Sequence, residues 1–199
     1  MSTTTSTTAA EATPAAQSKY QVRFDQGADG VRRIARGADV LVWVDQVPDA
    51  AGGGSGGGTA AAARVPAEVL ADAPGAVLVA GLADAAAAGA WILAEQEALG
   101  RRAYLAIVAA GRSDGGFAAD DVLAAGAVID ALAELGIDDT SPEAAVACAS
   151  YTGLRRAVAH LATASVGGRE AIAEGADPAA LRRAATRDGD ATARVVRAR

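Results

Sequence analysis

Ala103-Tyr-Leu-Ala-Ile-Val-Ala-Ala110, Gly111-Arg-Ser-Asp-Gly-Gly116 and Phe117-Ala-Ala-Asp-Asp121, continuing to Leu135, form the stretch whose reading decides the fold. An uncharged apolar run between Arg102 and Gly111 suits a strand buried on both faces of a parallel sheet. The glycines that follow allow a sharp reversal, because Gly tolerates positive φ. Val122, Gly126, Ile129, Leu132 and Ala133 then recur at intervals of three and four, which predicts a helix with one apolar face that packs back on the strand.

Asp120 and Asp121 fall in the first turn of that helix, at the carboxyl end of the strand, where open α/β sheets bind ligands. Two acids there also complement the helix dipole, and that reading stands beside the functional one. The loop adds Gly111, Arg112 and Ser113. Adjacent carboxylates are what Mg²⁺ asks for, and a guanidinium is what a phosphate or sulfonate asks for.

Working outward, Lys19 to Phe24 alternates and predicts a strand with one covered face, and Asp29 to Arg36 a short helix stopped by Gly37. Val40-Leu-Val-Trp-Val44 is a second buried strand, ending at Asp45. Gly52-Gly-Gly-Ser-Gly-Gly-Gly58 predicts a flexible loop rather than a nucleotide fingerprint, since it neither follows a strand directly nor opens a helix. Residues 59–73 are alanine-rich and predicted helical on either side of Pro66. Ala76-Val-Leu-Val-Ala80 is a third buried strand, and a helix follows from about Asp84 to Leu99. Three strand ends, at Asp45, near Asp84 and before Asp120, thus each bring a carboxylate to what could be one crevice, with Asp45, Asp84 and Asp121 the expected metal ligands.

Ser141-Pro-Glu-Ala144 starts a helix predicted to run to about Thr163, Gly167 to Gly175 gives a shorter one, and Asp177-Pro178 begins another to about Arg187. Ala193 to Arg197 is a final edge strand or a frayed tail. Strands alternating with helices predict a layered α/β domain around a largely parallel sheet, with a helix-rich C-terminal part.

The 199 residues, 51% of them hydrophobic, suffice for one core, so residues 19–199 are read as a single domain behind a disordered Ser/Thr/Ala/Pro-rich tail over residues 1–18. The net charge of −6 and the lack of a basic run argue against nucleic acid as a partner. Cys148 reads as a small buried hydrophobe, since His160 stands about three helical turns away. The N-terminus lacks the cationic start and apolar core of a secretory signal, and no stretch has the uncharged length to span a bilayer, so a soluble cytoplasmic protein is expected. An Ala-faced α/β domain is compatible with a homodimer.

Tyr20-Gln-Val-Arg-Phe24 with Gly27, the buried run ending in Asp45, Ala109-Ala-Gly-Arg112, Phe117-Ala-Ala-Asp-Asp121 with Ala125-Gly126, and Ser165-Val-Gly-Gly-Arg-Glu170 with Gly175 and Asp177 together resemble the 2-phosphosulfolactate phosphatase family. The resemblance implies a Mg²⁺-dependent α/β phosphatase acting on the phosphate ester of a small sulfonated hydroxy acid, a coenzyme M biosynthesis-type step. By position it makes Asp45, Asp120 and Asp121 the metal and acid/base carboxylates and Arg112 an anion contact, beside Gly111 and Ser113. The chain departs from that family after Asp45, where Gln46-Val-Pro-Asp and polyglycine replace a Val-Leu-Arg and Ser/Thr-rich stretch, and at Gly81-Leu-Ala-Asp84. Those departures motivate a second expectation, a non-catalytic α/β protein binding an anion or a partner.

Overall fold

The computed structural model describes residues 13–48, 64–189 and 192–199. The uncharged runs become β2 (Val40–Val44), β3 (Ala76–Ala80) and β4 (Leu105–Ala109), buried at every position. With β1 (Val22–Gln26) and β5 (Arg194–Arg197) they form one sheet in the order β1-β4-β2-β3-β5. The first four strands run parallel, and β5 lies antiparallel on β3. The C-terminal run is therefore an edge strand. Arg197 fixes it there, donating to the carbonyls of Leu70, Ala73 and Gly75.

Helices cover both faces, as a sheet of two-sided apolar strands requires. On one face α1 (Gly27–Ile34) and α2 (Ala67–Asp72) bring Val31, Ile34 and Val69 against Leu41, Trp43, Val77 and Val108. On the other, α3 (Ala85–Leu99) and α4 (Ala119–Glu134) bring Ile92, Val128 and Ile129 against Val40, Val42, Leu78 and Ile107. Over α4 lie α5 (Pro142–Leu154), α6 (Val158–Ala164), α7 (Val166–Ala173) and α8 (Pro178–Ala184). The layered, mostly parallel α/β fold is the expected one.

Helix α4 is buried nearly all round rather than along one stripe, because α5 closes its outer side. Gly126 permits that approach: a Cβ there would stand 2.2 Å from the Ala147 carbonyl oxygen and 2.8 Å from the Tyr151 Cβ. The helix expected from Ser141 to Thr163 breaks between Leu154 and Val158, so Cys148 and His160 belong to different helices. Burial and nearby Asp130 raise the Cys148 thiol above its ordinary value, as suits a packing residue.

Two further expectations change. The polar side of β1 is buried, not solvated: the Arg23 guanidinium donates to the carbonyls of Tyr20, Ile34 and Arg36 and lies 5.3 Å from the centroid of the Tyr104 ring. Alternation in sequence cannot reveal that the C-terminal carbonyls of α1 stand ready for it. Of the predicted tail, residues 1–12 lie outside the described residues, but Pro14–Ala16 forms a 3-10 turn. Gln17 pairs its amide with both the N–H and the carbonyl of Phe24. The Gly-rich segment 52–58, and residues 59–63 of the helix predicted around Pro66, also lie outside the described residues.

Candidate functional site

Strands β2 and β4 are neighbours, Val44 opposite Ala109, although the chain reaches β4 only after building β3. The helices that follow lie on opposite faces, α2 after β2 and α4 after β4, while Gln46 and Val47, just past β2, meet α7 and α8. Such divergence opens a crevice at the carboxyl edge of the sheet. The Ala110 N–H still donates to the Val44 carbonyl at 2.7 Å, and Gly111, with φ +76°, then turns the chain away.

Into this gap the first turn of α4 inserts Asp121, 2% exposed. One carboxyl oxygen accepts the Gln46 N–H at 2.8 Å and the other the Gly111 N–H at 2.9 Å, so a single side chain joins the two strand ends. Burial holds the Asp121 carboxyl well above the ordinary carboxylate range, and the charges of Asp120 and Asp45 push it the same way, against the two backbone N–H groups. Asp45, Asp120 and Asp121 are therefore electrostatic neighbours.

Asp120, 3% exposed, lies beside the first turn of α7. A Cβ built on Gly167 would stand 3.6 and 3.9 Å from its two carboxyl oxygens and 3.9 Å from the Val47 carbonyl oxygen. The bare Cα of Gly167 thus faces the Asp120 carboxylate and the Val47 carbonyl. Mg²⁺ is commonly held by one or two carboxylates, other oxygens and retained waters, so Asp120, the Val47 carbonyl and half-buried Asp45 have the donor chemistry it requires.

Asp84 does not join them, which corrects the metal set expected from the sequence. Its carboxylate accepts the Gly81 N–H at 2.7 Å and meets the Arg194 guanidinium at 2.6 Å, tying the end of β3 to β5. The arginine arrives from the far end of the chain, invisible to local spacing. Among the described residues no three of His, Cys, Asp or Glu gather so as to hold a metal ion, so Asp45, Asp84 and Asp121 do not form a triad.

The expected substrate contacts are also engaged. Arg112 is held by Glu170 of α7 at 2.7 Å and by Asp114 at 3.1 Å, and these bonds raise its pKa. The Gly111 N–H is given to Asp121, and Ser113 is exposed. Sequence reasoning missed Gln46, 1% exposed, which accepts the Leu82 N–H at 2.8 Å and donates to the Ala184 carbonyl at 3.2 Å. Its one visible signal was an amide directly after a buried strand, able to satisfy a donor and an acceptor at once.

Comparison of the sequence with models of known protein families finds no match, and comparison with curated proteins finds none. Among the described residues no helix is long and apolar enough to cross a membrane.

Proposed function

We propose that this chain is a Mg²⁺-dependent phosphomonoester hydrolase acting in the cytoplasm on a small sulfonated or carboxylated hydroxy-acid phosphate of the 2-phosphosulfolactate type. The observation that carries the reading is the burial of Asp120 and Asp121 at the carboxyl ends of β2 and β4, where the charges of Asp120 and Asp45 act on Asp121. The motif order resembling the phosphosulfolactate phosphatases supports the substrate class.

In this reading Asp120 and the Val47 carbonyl, with Asp45, hold the ion. Mg²⁺, when bound, neutralises the phosphoryl oxygens and orients the ester for in-line attack. Asp121 is a positioning group: both its oxygens face backbone N–H donors, so it sets the distance between Asp120 and Asp45 rather than touching substrate. Half-buried Asp45 would both hold the ion and orient the attacking water. Arg112 reaches a substrate anion by exchanging Glu170 for it.

The test is phosphate release from a panel of small phosphoesters with and without Mg²⁺. Turnover should require the ion and be lost in Asp45→Asn and Asp120→Asn. No turnover across the panel refutes the proposal. One observation favours a second reading, a non-catalytic protein holding an anion or partner: Arg112 is already bound by two carboxylates. Such a protein need not take up Mg²⁺, so calorimetry with the ion separates the two.

A further inference from the structure

Helix α5 seals α4 with one side and turns the other to solvent. Ala144, Ala147 and Tyr151 are the buried side. Opposite them Pro142, Val146, Ala149 and Gly153 recur at intervals of four, three and four, which aligns them on one outward line. All four are exposed, Val146 at 67%, and Leu154 at the helix end stands at 46%. An outward helix face ordinarily gathers charged residues. Here the chain carries no charge at all between Glu143 and Arg155. Where the line ends, residues 152–157 enclose a notch of about 320 Å³, and no atom stands within 4 Å of the place a Cβ on Gly153 would take.

The two ends of this face differ in sign. Glu143 opens it and Arg155 and Arg156 close it, all three exposed and, among the described residues, without an ion-pair partner. A face that is apolar in the middle, acidic at one end and basic at the other is complementary to itself turned through half a circle. We infer that α5 is the contact of a two-fold homodimer, in which it lies antiparallel on α5 of a second copy of this chain. The outward line sets the register. A two-fold axis between Ala147 and Cys148 brings Val146 over the partner's Ala149 and Gly153 opposite the partner's Pro142. It also sets the notch against the partner's Glu143, within one helical turn of Arg155 and Arg156, and symmetry repeats that meeting at the other end. The apolar line supplies the attraction, and the charged ends fix direction and register. Helix α5 has 13 residues and is about 20 Å long, so the contact falls at the small end of specific interfaces, below about 1,200 Å², and the dimer exchanges with its monomer.

The experiment is sedimentation equilibrium of the full chain from about 1 μM to about 1 mM, the span over which weak dimers dissociate. Wild type should pass from monomer to dimer as concentration rises. Val146→Glu sets a carboxylate in the middle of the apolar contact and should weaken association at least about tenfold, while its thermal melt in dilute solution matches that of wild type, because the residue is exposed. Glu143→Arg, and separately Arg155→Glu combined with Arg156→Glu, should each weaken association several-fold, since like charges then meet at both ends. Mixing those two variants should restore the dimer, because opposite charges meet at both ends of the mixed pair. A wild type that stays monomeric throughout overturns the proposal, as does a dimer that survives Val146→Glu. A mixture no more dimeric than its components overturns it too, whatever Val146→Glu does to folding.

Discussion

Replacing Asp121 by Asn separates the two things this carboxyl does, joining β2 to β4 and carrying charge beside Asp120 and Asp45. The amide has one acceptor oxygen where the carboxyl has two, so either the Gln46 or the Gly111 N–H must face an NH₂ group. A buried donor left without its acceptor costs about 1–3 kcal/mol, at any pH. The charge works in the opposite direction. Because burial and two neighbouring acids raise the folded-state pKa, the Asp121 contribution is fully present below the unfolded carboxyl value of about 3.9 and is lost as pH rises through the raised value. Across that window wild type loses up to about 1.4 kcal/mol per pH unit relative to a variant that cannot ionise. Asp121→Asn should therefore be the less stable protein, by about 1–3 kcal/mol, near pH 4, with the gap closing and then reversing as pH rises. Urea unfolding of both proteins at a series of pH values reads this directly. A gap that is constant with pH, or that widens as pH rises, refutes the account of Asp121 as a buried acid held against its own charge.

Gly126→Ala should destabilise by about 2 kcal/mol, the overpacking cost against the α5 backbone at 2.2 Å exceeding the gain in helix propensity of about 0.5–1 kcal/mol; a melting drop of roughly 4–8 °C by calorimetry is expected. Asp84→Ala removes the carboxylate that ties the end of β3 to Arg194 and should cost about 2–3 kcal/mol in urea unfolding, yet leave Mg²⁺ uptake unchanged; loss of uptake would return Asp84 to the metal site. Glu170→Gln should alter stability by less than about 1 kcal/mol, its carboxylate being half exposed, while leaving Arg112 only one of its two carboxylates, so that inorganic phosphate binds more tightly in isothermal titration. Under the hydrolase reading phosphate should bind only with Mg²⁺ present, since the crevice otherwise offers an anion three carboxylates; equal binding without the ion counts against it.

The strands were legible because each central one is buried on both faces and so carries no charge from end to end. Position of the acids followed from the same runs: Asp45 and Asp120 come directly after them or open the next helix. What local spacing could not show was partnership across the chain. Arg194 claims Asp84 from 110 residues away, and Glu170 claims Arg112 from 58. Arg23 was misplaced for a related reason. Its guanidinium is buried because α1 ends with carbonyls aimed at it, a property of backbone geometry that residue type does not carry. The long helix predicted through Arg155 breaks just after Gly153, in the last turn of α5, where a residue of low helix propensity weakens the helix.

Under the hydrolase reading, strand order also explains why the gap would take a cation before an anion. In an open α/β sheet the N–H groups beyond diverging strand ends are the natural recognition points for an anion, because they point into the gap and carry no countercharge of their own. Here the N–H groups of Gln46 and Gly111 are both taken by Asp121, a residue of the protein itself. The anion place is filled from within by a side chain whose burial already opposes its ionisation. The other polar groups at this edge are oxygens, those of Asp120, Asp45 and the Val47 carbonyl. In the hydrolase reading, attraction for a phosphate ester is relayed through a positive ion or through Arg112 once the ester replaces Glu170 on it. The Arg112–Glu170 pair, which ties the loop after β4 to α7, is in that reading the contact a substrate must displace.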